Sequence, residues 1–231
     1  MQNSAVIVPC YKRPEYTKKC IESLEQAQDY PNTTFYLVDD ASCDGTEKIL
    51  KESKLSSIVI VNLANMGLRH VLVDFFNRMK ISTSFKYMLK MDNDCMVPKN
   101  WLNDITHALN TLPVDILSPN VHPSNAAYVY GKEDKNNLGY RSSEFVGGLW
   151  AMTTSLIQDI TFESHKINGI TGAYSLLNQI IIEKEPRVGW LPQVIVQDMG
   201  HLSGTHPDHI KSEEHQQYSA EVGRRIAWSV G

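Results

Sequence analysis

The chain has no C-x-x-C pair, no apolar run of membrane-spanning length, no internal repeat or low-complexity tract, and no excess of positive charge. Each absence removes a class of function. The four cysteines, Cys10, Cys20, Cys43 and Cys95, all lie in the first half of the 231 residues. Without paired spacing they suit neither a zinc knuckle nor a dense disulfide framework, so reduced thiols are expected. A formal net charge of −4 leaves no global basic field for nucleic acid or an anionic membrane; a local anion site remains compatible with it. "MQNS" runs straight into "AVIVP" with no basic flank or cleavable apolar region, which predicts a cytoplasmic protein without a membrane span.

What is present is an ample apolar fraction, 42%, in alternating blocks without a linker between them. One α/β domain over residues 1–231 is expected. "AVIVPCY" is short, β-branched and apolar on both faces, as a buried parallel strand should be, and Pro9 stops it. "PEYTKKCIESLEQAQ" carries Tyr16, Cys20, Ile21 and Leu24 near helical spacing, with Pro14 and Glu15 suited to a first turn. Strand-like "TTFYLVDDAS", helical "EKILKESK", strand-like "SIVIVNL", helical "LRHVLVDFFNRMK" and strand-like "FKYMLKMD" follow. This β-α-β-α-β-α-β order predicts a Rossmann-like, mostly parallel sheet flanked by helices.

In such sheets ligands sit beyond the carboxyl ends of the strands. The residues there are 9–13, 39–42, 62–67 and 92–94, so two acid clusters converge on one edge. The second half is less regular. "WLNDITHALNTL" and "AYSLLNQIIIEKEP" read as helices, and "VDILSPNVH", "FVGGLWAMTT" and "VGWLPQVIVQDMGH" as strands. "NAAYVYGKEDKNNLGYRSSE" is a hairpin or a mobile flap, and "SEEHQQYSAEVGRRIAWS" a closing helix with apolar Val222, Ile226 and Trp228.

Asp92 and Asp94 end the fourth strand one residue apart, hence on one face if the strand continues. Such a pair needs solvent, a proton, a basic neighbour or a metal ion. Hard Mg2+ or Mn2+ favours carboxylate oxygen and is usually shared with substrate phosphates; an acidic turn capping the next helix is the plainer alternative. Asp39 and Asp40 suit hydrogen bonds to a base or ribose, or equally a cap in the turn-rich "DDASCDGT". Tyr11, Lys12 and Arg13 offer a ring face and cations for a nucleobase and phosphates. Neither G-x-G-x-x-G nor G-x-x-x-x-G-K-[ST] occurs, so no glycine cradle is expected and a metal must do more of the phosphate work.

Five blocks, "VIVPCYKRPEYTKKCIESL", "YLVDDASCDGT", "NMGLRHVLVDFFN", "YMLKMDNDCMVPKNWL" and "VGGLWAM", together resemble glycosyltransferase family 2, nucleotide-sugar transferases of the GT-A fold. The likeness spans residues 4–155 in order and spacing. It implies that residues 1–100 form a nucleotide-binding half and 101–231 an acceptor-binding half. By resemblance, Pro9, Tyr11 and Arg13 line the nucleotide pocket, Asp39 reads the base edge, and Asn65, Gly67 and Arg69 border base and diphosphate. Asp92 lies near ribose or sugar, and Asp94 ligates the metal. Gly147, Gly148 and Trp150 face donor sugar and acceptor, and His201 in "QDMGHLSG" adds a metal ligand, although a loop histidine bonded to backbone fits as well.

One feature departs from the pattern. Inverting members usually carry Glu-Asp at the start of the helix after the glycine strand, where this chain has Gly172, Ala173 and Tyr174. A general base is commonly worth about 10²- to 10⁴-fold. Glu144, Glu163 and Asp198 are the acids left, with Asp198 and Glu163 preferred; a retaining route, or binding without turnover, are the alternatives. The expected function is metal-dependent transfer of a sugar from a nucleoside diphosphate, UDP rather than GDP, to a glycan or other hydroxyl acceptor. A nucleotidyltransferase and a non-catalytic nucleotide-sugar or glycan-binding module are the competing classes.

Overall fold

The period of two along each strand decides which helices cover which side of the sheet. In the computed structural model, which describes residues 3–27, 32–122, 141–142, 148–162 and 173–199, strand β1 (Ser4–Cys10) sends Val6, Val8 and Cys10 into one core and Ala5 and Ile7 into the other. Strands β2 (Thr33–Asp39) and β4 (Tyr87–Met91) divide their side chains in the same way. Helices α1 (Pro14–Ala27), α2 (Thr46–Lys51) and α4 (Trp101–Thr111) close the first core. They do so with Cys20, Ile21 and Leu24, then Leu50, then Trp101, Leu102 and Ile105, at the three- and four-residue spacing of a helix face. Helices α3 (Leu68–Ile81) and α5 (Ala173–Lys184) close the second, through Leu72, Phe75, Phe76 and Met79, and through Leu176, Leu177 and Ile180.

The β-α-β connections make the first half parallel. β1 lies between β2 and β4, with β3 (Ser57–Val61) outside β2, and the register places Cys10 beside Asp39 and Asp39 beside Val61. The carboxyl ends therefore finish level, and the chain leaves each strand on the same edge.

In the second half the sheet is mixed, where a uniformly parallel one would follow from simple alternation. β8 (Leu149–Thr153) runs antiparallel to both β4 and β6 (Ile116–His122), and β6 runs parallel to β9 (Val188–Asp198). Two-residue strands β5 (Cys95–Met96) and β7 (Arg141–Ser142) pair antiparallel with β9. The order is β3-β2-β1-β4-β8-β6-β9-β5, a single sheet through both halves in which the longer pairings are mostly parallel. Of the expected hairpin or flap only the two residues of β7 are described, and the closing helix lies outside the described residues.

Candidate active site

Asp39 and Asp40 follow one another at the end of β2 but face different partners. Asp39 is buried, and its Oδ1 accepts the Ser42 amide at 3.0 Å and the Ser42 hydroxyl at 2.5 Å. Neither bond uses its second oxygen. Ser42 Oγ in turn accepts the Lys12 amide at 2.8 Å, tying the β2 turn to the segment after β1. Beside Asp39 a cleft of about 620 Å³ opens between the ends of β2 and β3 and the start of α2, lined by Ala41, Gly45, Lys48, Val61 and Asn62.

Asp40, also buried, accepts from Asn62 Nδ2 at 2.8 Å, Met66 N at 2.9 Å and Gly67 N at 2.8 Å. It holds the loop that enters α3. Gly67 has φ +82° and ψ 150°, a backbone that side-chain-bearing residues rarely adopt. Asn65 is exposed at the tip of this loop, whereas Arg69 is buried on the first turn of α3.

After β1, Pro9 is half-buried and Tyr11 is 45% exposed, with the Lys12 ammonium 5.4 Å from its ring centroid. Lys12 and Arg13 both take positive φ, 57° and 60°. This turn directs Arg13 across the strand ends, where Nη1 donates to Asp94 Oδ2 at 3.0 Å.

Asp94 lies in a loop of few residues between β4 and β5, its side chain 16% exposed. Burial, and then the charges of Asp92 and Asp198, push its carboxyl up to about 6 against the pull of Arg13 and Lys90. Asp198 reaches this place because β5 pairs with the end of β9, Cys95 opposite Asp198, and the Met199 amide donates to the Asp94 carbonyl at 2.9 Å. Asp92 is half-buried on the same turn; its Oδ1 accepts from Lys90 Nζ, and its amide donates to Gly148 O at 2.9 Å.

The sequence model of the family described as glycosyl transferase family 2 matches residues 5–184, from the start of β1 to the end of α5. The chain belongs to glycosyltransferase family 2. No curated protein matches it in sequence. Solved structures with the same fold include a mannosyltransferase from Pyrobaculum calidifontis in complex with GDP-Man and Mn2+, 20% identical, TM-score 0.60, covering 85% of this chain and 56% of that one. S. aureus TarS 1-349 in complex with UDP-GlcNAc is likewise 20% identical, TM-score 0.58, covering 85% of this chain and 58% of that one. GalNAc-T7 with UDP, GalNAc and Mn2+ is 12% identical, TM-score 0.61, covering 86% and 44%. The chain thus spans about half the length of these proteins.

Of the site residues singled out in the sequence, the fold gathers Pro9, Tyr11, Arg13, Asp39, Asn65, Gly67, Asp92, Asp94 and Gly148, with Asp198 from the acids considered as a base, along one sheet edge. Trp150 is a correction. Its indole is 2% exposed and meets Phe76 edge-on at 5.8 Å, because β8 is an interior strand and Trp150 points into the core under α3. Glu144, Gly147, Glu163 and His201 lie outside the described residues.

The donor set around Asp94 is carboxylate oxygen, and the burial and then the neighbouring acid charges that lift its carboxyl would both be offset by a cation, so Mg2+ or Mn2+ fits. Among the described residues no three acid, histidine or cysteine side chains are gathered so as to hold an ion unaided. Lys90 escaped sequence reasoning. A lysine inside "YMLKM", a run that must be buried on both faces, was the available signal, since such a charge needs a partner and Asp92 stands two residues on.

Proposed function

We propose that the chain transfers a sugar from a nucleoside diphosphate, UDP in preference to GDP, to a hydroxyl acceptor, with Mg2+ or Mn2+ held at Asp94. The observation that carries this is the placement of a carboxyl pushed up to about 6 at the end of β4, facing Arg13, on the sheet edge where Asp39 keeps an oxygen out of its Ser42 bonds. A divalent cation there would neutralise charge on the departing diphosphate. Arg13 serves the same end from the β1 side as a second cation. Asp39 offers its second oxygen to an N–H of the base, and the cleft beside it has room for a planar ring. Asp198 takes the proton from the acceptor hydroxyl in place of the missing acid pair; the first turn of α5 carries no acid that could do so.

The test is a panel of nucleotide-sugar donors with Mn2+ and a mixed glycan acceptor pool, scored for free nucleotide. Release of nucleoside diphosphate supports transfer. Pyrophosphate release would point to a nucleotidyltransferase, and UDP binding without turnover to a binding module, which the acid-free start of α5 also favours. Asp198→Asn should lower kcat by about 10²- to 10⁴-fold. If Asp198→Asn and Glu163→Gln both leave turnover intact, neither is the base and a retaining route replaces this assignment.

A further inference from the structure

Four of the five residues of β4 are apolar and buried; the fifth is Lys90, 3% exposed. Its ammonium donates to Asp92 Oδ1 and, at 3.2 Å, to Gly148 O, the same carbonyl that accepts the Asp92 amide. On the other side of the carboxylate the fit is close: a Cβ on Gly148 would lie 2.7 Å from Asp92 Oδ2 and 3.4 Å from Cys95 Sγ. One carboxylate oxygen is thus held by a buried cation, and the other is bounded by the residue that opens β8. Sheet stability does not require this arrangement. Replacing a buried ion pair with apolar side chains of similar volume is often neutral or stabilising, and "YMLKM" would be as good a strand with Met or Leu at position 90. What the pair changes lies next door, at Asp94.

Resting on the metal-dependent transfer proposed above, we infer that Lys90 is a positioning residue: its ammonium locks Asp92 and the Gly148 carbonyl into one neutral unit, which leaves Asp94 alone of the two acids to grip a divalent cation. Two free carboxylates one residue apart would compete for the ion and draw it toward β8. With Lys90 in place, Asp92 keeps a fixed orientation toward the donor, and the opening of β8 is held against it.

Mn2+ binding followed by electron paramagnetic resonance on the protein without nucleotide, alongside donor kinetics, tests this. In Lys90→Met, the Asp92 carboxylate is released from its ammonium partner and joins the ion, so Mn2+ should bind about three- to tenfold more tightly, as ligand charge count dictates. Its kcat should fall about 10- to 100-fold, the usual cost of losing an orienting partner, with donor KM little changed. Lys90→Met/Asp92→Asn should return Mn2+ affinity to the wild-type value without restoring kcat. A role in packing alone predicts a lower Tm with unchanged Mn2+ affinity, and that result overturns the inference. If Lys90→Met does not fold, Gly148→Ala asks the same question with Lys90 intact, because its Cβ displaces the carboxylate; unchanged Mn2+ affinity there is equally fatal. Wild-type affinity that ignores Asp94→Ala would instead remove the metal reading on which the inference stands.

Discussion

At the end of β2 and at the end of β4 the chain places two acids close together, and the two places neutralise them differently. Asp39 and Asp40 are served by neutral donors: the Ser42 hydroxyl and amide, the Asn62 amide group, and the amides of Met66 and Gly67. Asp92 and Asp94 are served by side-chain cations, Lys90 and Arg13. The difference matters for ligands. A carboxylate bound by backbone amides cannot be recruited without unravelling the loop that supplies them, so Asp40 belongs to the fold. A carboxylate facing a guanidinium on a long side chain can exchange that partner for another cation, which is what the proposed function asks of Asp94.

If that contrast holds, the largest effect comes from the exchangeable site. Asp94→Ala should weaken Mn2+-dependent UDP binding by at least about a hundredfold, since even partners one shell removed from a metal cost 10- to 100-fold. Calorimetry with and without Mn2+ reads this, and unchanged metal-dependent affinity would erase the distinction between the two ends. Next comes the site bound into the fold. Asp40→Ala leaves three donors in the β2–α3 region without their acceptor, a loss of about 2 to 4 kcal/mol that lowers Tm by roughly 5 to 10 °C. Thermal unfolding measures it, and a Tm within a degree or two of wild type would show that the loop does not depend on this carboxylate.

The extent to which this layout is visible in the residues follows from what each interaction requires. Strands β1, β2 and β4 announce themselves because burial on both faces demands short apolar runs, the edge strand β3 because its run is β-branched, and α1, α3 and α4 because one buried face demands three- and four-residue spacing. Pairing direction is another matter: "LWAMT" would be as apolar in a parallel strand, so the antiparallel β8 leaves no mark in its own residues. β5 is too short for any period, yet it delivers Asp198 to Asp94. The convergence of four strand ends was legible from topology alone. The structural duty of Asp40 was not, because two of its three donors are backbone amides, which every residue but proline carries. Trp150 shows the same limit in reverse, since a tryptophan beside a glycine suits a sugar site and a core equally until the neighbouring strands are known.

The smallest effect sharpens the comparison through pH. Because the folded-state carboxyl of Asp94 sits at about 6, above its ordinary 3.8, the folded chain binds a proton there more readily than the unfolded chain does. The favourable contribution of the protonated form is complete below pH 3.8 and is lost as pH rises through 6. In metal-free protein, Asp94→Asn, a neutral mimic of the protonated acid, should therefore change stability little below pH 4 and stabilise by about 1 to 3 kcal/mol above pH 7. Urea unfolding of wild type and variant at pH 4 and pH 8 measures the difference. The same proton competes with a cation, so wild-type Mn2+ affinity should fall as pH drops below 6. A pH-independent stability difference would mean that Arg13 and Lys90 fully offset burial and the neighbouring acids at Asp94. Asp94 would then serve the fold in the same way as Asp40, with no uncompensated charge to spare for a ligand.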